Sequence, residues 1–147
     1  MSNVLSLAMI LAIATGAPDA SHTIVVPHAS GKAQVEYRGN LAIEHRQVGS
    51  VAPGGRASTL RCRWTANLHV ERNATHTSGS TASRSFVIND VARGHHPGWC
   101  PANTNKRSRD AALQAMDINK HLKRAITADH AMLDAELDQL GLSRDGE

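Results

Sequence analysis

From Thr59 to Arg72 apolar and polar residues alternate one for one. Leu60, Cys62, Trp64, Ala66, Leu68 and Val70 hold the even positions; Arg61, Arg63, Thr65, Asn67, His69 and Glu71 hold the odd ones. Successive side chains of a strand point to opposite sides, so this rhythm predicts a β-strand with one buried and one wet face. A helix would scatter the same apolar residues around its circumference.

Upstream, Thr23 to His28 (TIVVPH) predicts a short strand ended by Pro27. It suits a sheet edge, because proline has no N–H for the ladder. Ala33 to Tyr37 and Leu41 to Val48 alternate as well. A two-residue Gly39-Asn40 turn between them would set Tyr37 against Ala42 and Val35 against Glu44, mixing the faces. A three-residue turn, Arg38-Gly39-Asn40, sets Tyr37 against Leu41 and Val35 against Ile43, and register favours it. Asn40 tolerates the left-handed conformation needed at its end.

Gly49 to Ser58 is a loop by composition. Asn73 to Ser83 (NATHTSGSTAS) reads as a polar hairpin connection, and Asn73-Ala74-Thr75 fits the glycosylation sequon. Arg84 to Val91 predicts a further strand with Phe86 and Ile88 on one side. Gly94 to Asn105 reads as irregular because Pro97, Gly98 and Pro101 interrupt it, with Trp99 expected close to the core.

From about Ser108 to Leu140, apolar residues including Ala115, Leu122, Ile126, Leu133 and Leu137 recur at helical spacing. Asp129 falls inside this stripe. An unpaired buried carboxylate is costly, so a break near Thr127 to His130 is the cheaper expectation, the alternative being a partner for Asp129. Gly141 suits a left-handed C-terminal stop. The pattern as a whole predicts an α+β fold: an antiparallel meander of four or five strands, covered by one or two C-terminal helices. Residues 1–20 form a hydrophobic N-terminal segment, 21–105 the β domain and 106–142 a helical segment packed on the sheet or on a partner.

Composition sharpens this. A chain of 147 residues is the size of one domain, and with aromatic content of 3% its core is aliphatic. Tyr37, Trp64, Phe86 and Trp99 are its few large pieces. Cys62 and Cys100 allow a single intramolecular disulfide, which would stabilise by about 4 kcal/mol on the chain-entropy account. Val4 to Thr15 (VLSLAMILAIAT) has the length of a signal-peptide hydrophobic region, although Met1-Ser2-Asn3 carries no Lys or Arg. Small residues at Ala14, Gly16, Ala17 and Ala20 place cleavage between Gly16 and Ala20. Export to the periplasm or medium fits a disulfide; an uncleaved segment would anchor the chain to a membrane.

Charge is uneven: residues 21–109 hold 12 bases and 4 acids, residues 110–147 hold 4 bases and 8 acids. Arg61, Arg63 and His69 on the wet side of the central strand, joined by Arg38, Arg46 and Arg72, form a candidate basic patch. It would suit an anionic glycan, lipid head groups or nucleic acid. Scarce aromatics and export argue against nucleic acid. Among nine histidines, His95 and His96 lie densest, near Cys100, and are the candidate metal ligands; a disulfide at Cys100 would withdraw the thiolate. His45 and His69, both on strands, could meet across the sheet. No nucleophile elbow, His-Glu-x-x-His, phosphate loop or Cys-x-x-Cys occurs, and no cofactor is implied. The sequence therefore points to a small exported, non-catalytic protein with a binding or structural role. Its partner would be another protein, or a second copy met through the C-terminal helix. The alternative is a metal-binding protein or small hydrolase using His95 and His96.

Overall fold

The structure, a computed structural model, describes residues 16–54, 58–100, 102 and 104–142. Strands β1 (Ala20–Val26), β2 (Ala33–Val48), β3 (Arg61–His76) and β4 (Thr81–Pro97) pair antiparallel in the order β1-β2-β3-β4. Helices α1 (Thr104–Ala115) and α2 (Ile118–Leu142) follow and cover one face. This is the expected α+β meander, with four strands and two helices. Rows such as Leu41–Leu68–Ile88 and Val35–Ala74–Ala82 run across the covered side.

β2 is one strand, where a turn was expected at Arg38 to Asn40. Gly39 pairs with Ala20 on one side and Val70 on the other. A three-residue turn keeps the odd residues on one face, but so does an uninterrupted strand, so register alone cannot separate them. The helix above supplies the reason for glycine. A Cβ on Gly39 would lie 3.1 Å from Leu68 Cδ1 and 3.6 Å from Leu122 Cδ1, so its absence makes room for α2.

The polar stretch after Arg72 also stays in strand rather than forming a long loop. Arg72, Ala74 and His76 are buried, and the β3–β4 connection shrinks to Thr77–Ser80. β4 likewise extends through Gly94-His95-His96-Pro97, which composition had marked irregular. Gly94 lies beneath Trp64, where a Cβ would meet the indole at 2.4 Å. Pro97 is accommodated because β4 is an edge strand. A bulge faces Asn67, whose Oδ1 accepts the Asp90 N–H at 2.9 Å; Asp90 has φ 57°.

A 16-residue strand spans roughly 53 Å, longer than either helix. α1 and α2 together, at about 18 and 37 Å, match it. The chain breaks between them at Met116–Asp117, and Asp117 Oδ1 caps α2 by accepting the Lys120 N–H at 3.2 Å. The break expected at Thr127 to His130 does not occur. α2 runs straight through Asp129, which is buried and partnered. Gly141 is helical, not a left-handed stop; a Cβ there would sit 3.2 Å from Ser30 Cβ, so glycine lets the helix end approach the β1–β2 turn.

Cys62 and Cys100 form the expected disulfide, with Cα atoms 4.9 Å apart. Trp99 is not in the core: it is 66% exposed. Its neighbours Gly98 and Cys100 are held to the sheet, which fixes the backbone and leaves the indole outside. Residues 1–15, most of the expected N-terminal hydrophobic segment, lie outside the described residues. Asp19 Oδ2 accepts the Leu41 N–H at 2.7 Å, Arg109 Nη1 donates to Leu41 O at 3.0 Å, and the two side chains pair. They replace a strand partner where β1 gives out. Among the described residues no helix is long and apolar enough to cross a membrane.

Candidate functional site

Three polar centres stand out, two on the covered side and one on the open side. The first is a cross-strand row, Tyr37–Arg72–Arg84, roofed by α2. Asp129 accepts a hydrogen bond from the Tyr37 hydroxyl at 2.9 Å and pairs with Arg84. Arg72, fully buried, pairs with Glu136 and lies 3.4 Å from Asp129 Oδ2. Among the described residues its Nε and Nη1 make no hydrogen bond, so the Asp129 contact is ionic and poorly aligned. Burial, then the bond to Asp129, pushes the Tyr37 phenol well above its ordinary value of 10.0. The Arg84 guanidinium also stacks 4.9 Å from the Phe86 ring centroid. Sequence reasoning set Arg72 in the basic patch; its even position puts it with Val70 on the buried face instead. That parity, with Asp129 in the apolar stripe of α2, is the signal that could have found this cluster.

The second centre joins two His-x-Ser turns to the end of α2, and sequence reasoning missed it. The Ser30 N–H donates to His28 Nδ1 and the Ser78 N–H to His76 Nδ1, both at 3.1 Å. Each ring therefore carries its proton on Nε2. His28 Nε2 then donates to Asp138 at 2.7 Å, and His76 Nε2 donates to Ser30 Oγ at 3.2 Å. The Ser30 hydroxyl donates to His28 Nδ1 at 2.7 Å. The order Ser30–His28–Asp138 resembles a nucleophilic triad. However, the Ser30 N–H is spent on His28 Nδ1 and the Gly31 N–H on His28 O. Neither is free to stabilise an oxyanion at Ser30 Oγ. The relay is a latch holding the end of α2 to two turns.

The candidate metal ligands are consecutive on β4, so their rings leave on opposite sides: His95 pairs with Arg63 on the open face, and His96 with Cys62 on the covered one. His96 Nε2 is buried and has no hydrogen-bond partner among the described residues. Cys100 is consumed by the disulfide. Among the described residues no three His, Cys, Asp or Glu side chains converge as a metal site. His45 and His69 also lie on opposite faces. His45 Nε2 bonds Ser108 Oγ at 2.8 Å, and burial, then nearby His96, holds its pKa below the ordinary 6.5.

The third centre is the open face, at the disulfide end. Arg46, Arg63 and His95 form one cross-strand row over β2, β3 and β4, all exposed. Strands lie about 4.8 Å apart, so the row spans roughly 10 Å. Arg61 follows on the same face of β3 and pairs with Pro97. Among the described residues none of these three guanidinium groups meets a carboxylate. Like charges directly opposite across a sheet are unfavourable. A groove of about 870 Å³ runs beside the row, lined among others by Glu44, Thr65 and Arg93; Arg93 is taken up by Asp90. The fold separates Arg38 from this group. It lies opposite Glu71, pairs with Glu36 at 2.9 Å, and is eight residues along β2 from Arg46, about 26 Å. His69, opposite Asn40, is likewise remote. No protein-family model matches this chain and no curated protein or solved structure proved similar to it, so the reading rests on the geometry of these three centres.

Proposed function

We propose that this is a small exported, non-catalytic binding protein, periplasmic or secreted, whose contact surface is the disulfide end of the open sheet face. The carrying observation is the Arg46–Arg63–His95 row, whose guanidinium groups pair with no carboxylate among the described residues. The Tyr37–Arg72–Arg84 row has the same three-strand geometry on the other face, and there α2 supplies Asp129 and Glu136. The chain answers its cations where it is folded against itself and leaves them open here, which favours an anionic partner.

Export is supported by the hydrophobic residues 4–15 and by the disulfide. That Asp19 and Ala20 take part in the fold supports a cleavage point before Asp19, within the Gly16 to Ala20 window. A protein partner on α2 has less to hold, since Leu122, Ala125, Leu133 and Leu137 are buried against the chain's own sheet.

The test is retention on immobilised sulfated and carboxylated matrices. The Arg46→Glu/Arg63→Glu variant should elute at much lower salt than wild type while keeping its circular dichroism and melting temperature. Equal retention of the two proteins overturns the assignment of the surface. Native mass spectrometry reads self-association in the same samples.

A further inference from the structure

Trp99 and the cationic row occupy the same end of the sheet. Tryptophan is rare here and its exposure is costly: fully burying a large apolar side chain is worth roughly 2–3 kcal/mol. Yet Trp99 is left 66% exposed, while Tyr37 and Trp64 are buried. Its backbone is tied down closely. The Gln47 side chain donates to Arg61 O at 2.9 Å and Gly98 O at 3.2 Å, and accepts the Cys100 N–H at 2.7 Å. The Gly98 N–H donates to Leu60 O at 2.9 Å, and Cys100 is cross-linked to Cys62. Residues on both sides of Trp99 are therefore fixed, and only the indole projects. Ordering costs met before binding are not met again during it, which is the use of a preorganised aromatic anchor.

Resting on the contact surface proposed above, we infer that its ligand is an acidic polysaccharide. The indole offers a flat apolar plate for the C–H face of a sugar ring, and Arg61, Arg63 and Arg46 receive carboxylate or sulfate groups along the same chain. Trp99 follows Pro97, the cross-strand partner of Arg61, by two residues, which sets plate and clamp at the same end of the sheet. Guanidinium forks match planar carboxylates and sulfates in two-point contacts. An acidic protein segment would use the arginines but has no need of the plate. Single-stranded nucleic acid is bound by series of stacking aromatics, and the described residues expose one.

The experiment measures affinity by titration for four probes of matched charge: oligogalacturonate, a sulfated dextran oligomer, polyglutamate and a single-stranded oligonucleotide. Methyl-esterified oligogalacturonate serves as the uncharged control. One or both glycans should bind at least tenfold tighter than polyglutamate, the oligonucleotide and the ester. Trp99→Ala should lose about tenfold on the glycan and nothing on polyglutamate, and Arg63→Glu should lose on every anion. The pair of glycans separates carboxylate from sulfate preference. Equal affinity for glycan and polyglutamate, or an unchanged Trp99→Ala, overturns the glycan inference and leaves the cationic surface standing. Tightest binding to the oligonucleotide overturns it in favour of nucleic acid. Failure of Arg63→Glu to weaken any probe sinks the surface and the glycan together. Retained melting temperatures show that the variants are folded.

Discussion

Two rows, each bearing two arginines, cross the same three strands on opposite faces and meet opposite fates. Tyr37–Arg72–Arg84 lies under α2, and each of its guanidinium groups finds a carboxylate. Arg46–Arg63–His95 lies in water and finds none among the described residues. The difference follows from the cost of desolvation. A buried guanidinium without a counter-charge is untenable, whereas an exposed one is hydrated at little cost. The buried row is therefore tied to folding, while the exposed row can stand unpaired in water.

The comparison is broken most severely at Asp129. Asp129→Ala leaves Arg72 with Glu136 alone and Arg84 and Tyr37 without their acceptor, and should cost about 3–5 kcal/mol in urea unfolding. A loss under 1 kcal/mol would show that the row does not seat α2. Next in size is the disulfide. Replacing Cys62 and Cys100 by serine should remove about 2–4 kcal/mol, read as a lower urea midpoint that reductant no longer shifts.

Tyr37, the only tyrosine, sharpens the contrast through pH. Burial and Asp129 raise its folded pKa above 10.0, so the unfolded chain releases a proton that the folded one retains. Stability is therefore fully present below pH 10 and declines as pH rises beyond it. Tyrosinate absorbance should appear only with unfolding. Tyr37→Phe should abolish that alkaline dependence at a neutral-pH cost of about 1 kcal/mol. The smallest effect belongs to the open row. Arg63→Glu relieves repulsion from Arg46, and the melting temperature should rise slightly, corresponding to roughly 0.2–1 kcal/mol. A clear destabilisation would mean that Arg63 has a structural task.

Much of the frame was legible in the residues. The two-residue rhythm of β3 extends to both of its neighbours, and the Cys62–Cys100 pairing needed only arithmetic. What misled were residues whose local preference the tertiary structure overrides. Gly39-Asn40 and Asn73 to His76 look like turn material, Gly94 to Pro97 like a loop, and Asp129 like a helix breaker. In three of these four the decisive neighbour is distant in sequence: Leu122 above Gly39, Trp64 over Gly94, Arg72 and Arg84 against Asp129.

By itself the sequence determined which side of each strand faces water, because alternation is a local property of extended backbone. It thereby determined the fold class and two of the three members of the exposed row, Arg46 and Arg63. Only the tertiary structure decided which charges meet. Pairing across strands places Arg46, Arg63 and His95 in line though they are scattered along the chain, and packing of α2 brings acids to one row and withholds them from the other. Distance in space, which sets both Coulomb energy and desolvation, is not encoded in spacing along the chain.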